Sequence, residues 1–193
     1  MGGVEDRVAE RVGADDVRDE RVLLLPRAAL LERDELARLE RRAGLAVADV
    51  AGPAARVKWP NDVLIDGRKV AGILVEARPA ERWAVLGIGL NAALNLAALP
   101  PDLRDTAATL GRAPGELDDV LAELLAALDR RLAAPEDAVV RDLRERDALL
   151  DRPIAFSGGE GLAAGIDGAG RLLVRHADGT ETALDAGEVH LRR

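Results

Sequence analysis

The chain has 193 residues, enough for one main core with a small appendage, and its composition, 48% apolar and 32% charged, is that of a soluble globular protein. A net charge of −8 with no basic block argues against nucleic acid as the main partner. Cysteine is absent, Ser157 is the only serine, and His176 and His190 are the only histidines, which excludes disulfides and thiolate sites and disfavours a Ser-His-Asp hydrolase or a histidine-ligated metal.

Residues 1–20 are polar and weakly patterned and are expected to form an arm outside the fold. Val22 to Leu25 reads as a short buried strand closed by Pro26. From Glu35 onward, Leu36, Leu39, Ala43, Val47 and Val50 recur at spacings of three and four, which predicts a helix with one apolar face, ended by Gly52-Pro53. The stretch 57–77, VKWPNDVLIDGRKVAGILVEA, reads as strand, turn, strand, with Asp66-Gly67 as a two-residue hairpin turn.

Chemistry concentrates in this hairpin. Lys58, Trp59, Asn61 and Asp62 precede its first strand, Pro60 biases Trp59 away from helix, and Lys69 lies just past the turn. Of 27 basic residues only Lys58 and Lys69 are lysine. In a chain that otherwise uses arginine, a lysine suggests the need for a compact ammonium. Gly72 interrupts the second strand where a bulge or a close approach would need no side chain.

Trp83 to Leu90 predicts another buried strand, running into Gly87-Ile88-Gly89-Leu90-Asn91. The glycines permit close approach of a ligand, and Asn91 can donate and accept as a heterocycle edge requires. After Pro100-Pro101, Leu117 to Leu132 traces an amphipathic helix and 136–150 a second, both read as structural. At Asp151-Arg152-Pro153 the pattern switches to short strands at 154–156, 162–166, 172–175, 180–184 and 189–191, separated by Gly turns, which suggests a small barrel. With no signal-peptide pattern and no long apolar run, neither secretion nor a membrane span is expected, and the cytoplasm is the default location.

With these residues laid out, the chain from Val22 onward resembles the biotin protein ligases. KWPNDVLIDGRKVAGILVE at 58–76 carries the resemblance, joined by GIGLN at 87–91, LRDTAATL at 103–110 and the ending GIDGAGRLLV…DG…GEV. The resemblance implies an α+β fold: a class II aminoacyl-tRNA synthetase-like mixed sheet with helices at 21–151, N-terminally truncated, and an SH3-like barrel at 152–193. It implies activation of biotin with ATP, carrying magnesium, to biotinyl-5′-AMP, and transfer to a lysine of a biotin carboxyl carrier protein. Lys58 takes the place of the family's essential lysine, and Lys58, Trp59, Asn61, Gly72, Ile73, Gly87, Gly89 and Asn91 that of the biotin and adenylate site. No DNA partner, membrane or resident metal is expected, and a homodimer is compatible with the reading.

One departure is large. The Thr-Asn pair and GRGRxGR-type loop that such proteins place before the strand at 22–25 have no counterpart in MGGVEDRVAERVGADDVRDE. The expectation is therefore a ligase impaired by a missing loop. The alternative is an inactive, ligase-like module that binds nucleotide or carrier protein.

Overall fold

The computed structural model describes residues 22–25, 33–78 and 83–192; the polar arm expected at 1–20 lies outside them. Helix α1 (Arg33–Ala51) is the hub. Of its predicted stripe, Leu39, Ala43 and Val47 are buried and Leu36 and Val50 half-buried, and from Ala43 to Ala48 every residue is enclosed, because the helix lies between a sheet and two further helices. Gly44 faces that sheet, where a Cβ would stand at ordinary contact distance from Val57 (3.6 Å) and Ile73 (4.0 Å).

The sheet contains β1 (Val22–Leu25), β2 (Ala55–Lys58), β3 (Asp62–Ile65), β4 (Arg68–Arg78) and β5 (Trp83–Leu90). Its order is β1-β5-β4-β3-β2, antiparallel throughout. The predicted hairpin is β3–β4, and Asp66 and Gly67 both hold positive φ (50° and 75°), as a two-residue turn of the type that matches strand twist demands. Strand β2 is not anticipated by the sequence reading, which takes Lys58 as a residue outside the strands. Only four residues long, β2 carries no alternation long enough to stand out.

Beyond the sheet come a short helix α2 (Pro101–Arg104), then α3 (Leu117–Ala133) and α4 (Glu136–Glu145). Helix α4 stops well before the predicted residue 150. Residues 146–148 leave the helix to cover the edge of β2, with Val57 N–H donating to the Arg146 carbonyl (2.8 Å) and Ala148 N–H to the Val57 carbonyl (3.0 Å). Three helices are clamped together by Arg131, which holds Asp49 of α1 with two hydrogen bonds of 2.8 Å and Asp142 of α4 at 2.5 Å.

Burial works against the charge of Asp142, but the hydrogen bond and charge of Arg131, with help from Arg141, hold its carboxyl below the ordinary value near 3.8. A carboxyl depressed in the folded state contributes stability that is present above its unfolded value and lost as pH falls through the folded one. Thermal melts taken from pH 6 down to pH 3 should therefore show a loss of stability concentrated below about pH 4. An Arg131→Met variant should melt lower at neutral pH and lose less on acidification. Equal acid sensitivity in the two proteins would remove the clamp from the account.

The last 40 or so residues form a second antiparallel sheet: β6 (Pro153–Phe156), β7 (Gly159–Ile166), β8 (Leu172–Arg175), β9 (Glu181–Leu184) and β10 (Val189–Leu191). The five expected strands are present, but the expected barrel does not close. The order is β10-β6-β7-β8-β9, and among the described residues no hydrogen bond joins β9 to β10. Their connection, Asp185 to Glu188, instead lines a cleft shared with α1 and the hairpin.

Both sheets feed one hydrophobic cluster. Ile154 and Leu172 are fully enclosed in it, and Leu191 packs on it, as expected for a small sheet that leans on the larger one. Polar contacts reinforce the seam: Arg144 Nε donates to the Ile166 carbonyl (2.7 Å), and Trp59 Nε1 to the Gly170 carbonyl (3.2 Å). Deleting residues 152–193 should lower the melting temperature of the remainder, and the isolated fragment should not melt cooperatively. A sharp melt of the fragment, with an unchanged melt for 1–151, would show two independent units.

Candidate active site

Antiparallel pairing of β2 with β3 sets Lys58 opposite Asp62. The two side chains meet, Lys58 Nζ donating to Asp62 Oδ2 at 3.0 Å, with both residues largely shielded. Lys69, from the other side of the hairpin, reaches the second oxygen of the same carboxylate at 2.5 Å. The two lysines of the chain therefore share one counter-ion. Two ammoniums on one carboxylate leave one net positive charge at the mouth of a cleft of about 870 Å³.

The cleft is lined by Lys58, Trp59, Asn61 and Lys69 from the hairpin region, by Glu40 and Arg41 of α1 and by the loop after β9. It follows the side of β4 that β3 leaves uncovered, since β3 pairs with β4 only as far as Gly72. Asn61 and Glu40 satisfy that edge. Asn61 donates its side-chain amide to the Ile73 carbonyl (2.9 Å), its backbone carbonyl accepts from Ile73 N–H (2.8 Å), and the Glu40 carboxylate accepts from Val75 N–H. Burial pushes the Glu40 carboxyl above its ordinary value, against the pull of that hydrogen bond and of Arg41.

Trp59 is buried, and its peptide bond to Pro60 is cis. Its indole N–H is committed to Gly170, so the residue next to Lys58 is held by the C-terminal sheet. Arg41, 6% exposed, lies beneath Gly170 and pairs with Glu136 at 3.5 Å. Burial lowers the affinity of its guanidinium for a proton, and Glu136 partly restores it.

Gly72, Gly87 and Gly89 lie outside the cleft, on the opposite face of the sheet from α1. Register pairs Gly72 with Gly89 and Leu74 with Gly87, which leaves a stretch of that face low in side chains, bordered by Leu74, 58% exposed, and by the Lys69 and Asp62 side chains that lie over Gly72. Ile73 points the other way, into the core, and offers only its backbone. Asn91 donates its amide to the Ala108 carbonyl (3.0 Å), stapling the segment 106–110 to the hairpin. That segment in turn grips the backbone of Lys69 on both sides, through Lys69 N–H to Thr106 (2.7 Å) and Ala108 N–H to Lys69 (2.7 Å).

Three parts of this site escape sequence reasoning: Asp62 as shared counter-ion, Glu40 with Arg41, and Gly170. The first left a signal, since Asp62 is four residues from Lys58. So did Arg41, a charge within the buried stretch of α1. Nothing local marks Gly170, which joins the site from 111 residues further along the chain than Trp59.

An antiparallel sheet that carries a two-lysine cluster and three glycines on the same face, with a charged cleft along its uncovered edge and a small second sheet beside that cleft, defines an α+β protein. Two family models match such a chain here, the biotin/lipoate A/B protein ligase family over residues 37–92 and the biotin protein ligase C terminal domain over 150–192. The chain belongs to the biotin protein ligase family.

Among curated relatives, it is 35% identical over 166 residues to the biotin–[acetyl-CoA-carboxylase] ligase of Mycobacterium tuberculosis, covering 78% of this chain and 61% of that protein. It is 36% identical over 155 residues to the ligase of the same name from Paracoccus denitrificans, covering 72% and 64%. The chain thus spans about three fifths of the length of these relatives. A biotin protein ligase from Aquifex aeolicus, solved in complex with biotin and ATP, shares the fold at a TM-score of 0.74 and 24% identity, over 90% of this chain and 78% of that one.

Proposed function

We propose that the protein is a biotin–[acetyl-CoA-carboxylase] ligase. A biotin carboxylate oxygen attacks the α-phosphorus of ATP, bound as its magnesium complex, and the bond to the bridging oxygen breaks. Pyrophosphate leaves, and biotinyl-5′-AMP remains. The amine of a carrier-protein lysine then attacks the carbonyl carbon of this mixed anhydride; AMP leaves, the amine loses a proton, and an amide is formed.

The observation that carries the reading is the placement of Lys58, a shielded ammonium at the cleft, beside a second ammonium that leaves the cluster positive. A carboxylate and a phosphate repel each other, and a fixed cation between them stabilises the charge that builds as they join. Lys58 is the catalytic residue in this reading. The glycine face of Gly72, Gly87 and Gly89 forms the floor against which the planar parts of the ligand lie, and the Ile73 backbone and Asn61 keep the neighbouring edge in place. Asn91 contributes by holding the segment 106–110 in position. The sheet is read as the class II synthetase-like platform, and the division into units falls at residue 151.

Support comes from the names of the relatives and from the biotin and ATP held by the Aquifex protein. The partner that follows is the carrier domain of a carboxylase, and the cytoplasm, where ATP is abundant, is the compartment that suits the reaction. Incubation of the protein with ATP, biotin and a carrier domain should give a biotinylated carrier detectable with avidin. No labelling above a reaction lacking ATP would contradict the proposal.

One observation favours a second reading, a module that binds without adenylating. The 193 residues contain no Gly-Arg-Gly run; Gly67-Arg68, Gly111-Arg112 and Gly170-Arg171 stand at the β3–β4 turn, in a loop and in the turn between β7 and β8. On that reading, calorimetry finds weak biotin binding, because the ligand is left open to water. Tight binding of biotin by this chain would set the second reading aside.

A further inference from the structure

The sharing of one carboxylate by two lysines has a consequence for how Lys58 is made available. Lys58 and Asp62 alone would form a neutral, largely shielded pair, and an ammonium so paired is expensive to remove, because it leaves a shielded carboxylate unsatisfied. Lys69 changes that balance. Its backbone is gripped by the segment 106–108, and its side chain, although 52% exposed, does not extend into solvent. It lies across β4 to Asp62, over the one position of the strand without a side chain. A Cβ on Gly72 would stand 3.0 Å from Lys69 Nζ and 3.1 Å from its Cε.

We infer that Lys69 is a positioning residue that keeps Asp62 satisfied while Lys58 is handed to an incoming anion. In the free protein Asp62 holds both ammoniums. When a carboxylate and a phosphate arrive, Lys58 turns to them and Lys69 remains on Asp62, so no charge is left unpaired. Gly72 serves this path by leaving room for the lysine. The inference rests on the adenylating role proposed for Lys58, and it assigns to Lys69 an action through Asp62 and not on the ligand.

A double-mutant cycle on the full chain tests it, read as biotin-dependent pyrophosphate–ATP exchange. Lys69→Gln should lower kcat about tenfold with a smaller change in the KM for ATP, and Lys69→Arg, which keeps a cation for Asp62, should restore most of that loss. In an Asp62→Asn background the carboxylate that needs a partner is gone, and Lys69→Gln should then cost less than about twofold. An equal cost of Lys69→Gln in both backgrounds would mean that Lys69 acts on the ligand directly, and would overturn the inference.

If the parent chain shows no biotin-dependent exchange, the adenylating role fails on its own, and a second measurement still decides the handover. The chain has two lysines, so [ε-15N]lysine labelling gives two side-chain ammonium signals. Titration with inorganic pyrophosphate should move the Lys58 signal while that of Lys69 stays near its starting position. Lys69→Gln should shift the Lys58 signal of the free protein and raise the pyrophosphate needed to move it, and it should do neither in the Asp62→Asn background. A Lys58 signal indifferent to Lys69→Gln, or a Lys69 signal that follows pyrophosphate as closely as Lys58 does, would overturn it.

Discussion

Lys58→Arg should reduce biotin-dependent pyrophosphate release by about a thousandfold while leaving the melting temperature close to that of the parent. Charge is conserved in this substitution, so any loss comes from geometry. A guanidinium presents a planar fork, and Asp62, now 3.0 Å from an ammonium, is a carboxylate that such a fork grips with two parallel bonds. The arginine would be held on Asp62 more firmly than the lysine is, and its bulk would not fit between two oxyanions about to join. Release of pyrophosphate at the parent rate would show that Lys58 is not the cation that the transition state uses.

The second large effect is on stability and falls on Gly170. Replacement by Ala should lower the folding free energy by about 3 kcal/mol, from two sources. Gly170 has φ of +79°, where an L side chain is strained, and a Cβ there would stand 2.5 Å from Arg41 Nε and 2.7 Å from Cζ. Arg41 is buried, and shifting it weakens its pairing with Glu136 inside the protein. The carbonyl of the same glycine accepts the Trp59 indole N–H, so the damage should extend to the residue beside Lys58. Chemical denaturation should show the lowered midpoint, and tryptophan fluorescence a change at Trp59 before global unfolding. A midpoint within experimental error of the parent would mean that the seam between the two sheets is loose.

How far the sequence could be read depended on the distance over which each feature is specified. The turn at Asp66-Gly67, helix α1 and the five C-terminal strands are written in local periodicity and turn chemistry, and they lie where those signals put them. Lys58 stood out by residue type. Strand β2 and the early end of α4 were not legible, because each depends on the other: residues 146–148 leave the helix to pair with Val57, some 90 positions earlier. Barrel closure is expected from the count of short strands, their Gly turns and the family resemblance, and none of these says whether β9 and β10 meet. Asn91 is a case of correct prominence with a different contact, since its amide holds Ala108 and its importance to the site comes through Lys69. Arg41 and Gly170 meet only because the C-terminal sheet docks over α1, which no window of sequence contains.

The most direct measurement is mass spectrometry of the small molecules formed when the 193-residue chain is incubated with ATP, magnesium and biotin. Biotinyl-5′-AMP and pyrophosphate should form in equal amounts, both absent when biotin is omitted and both lost in Lys58→Arg. ATP that stays intact in the presence of biotin, or pyrophosphate that forms at the same rate without biotin, would contradict the proposed activity.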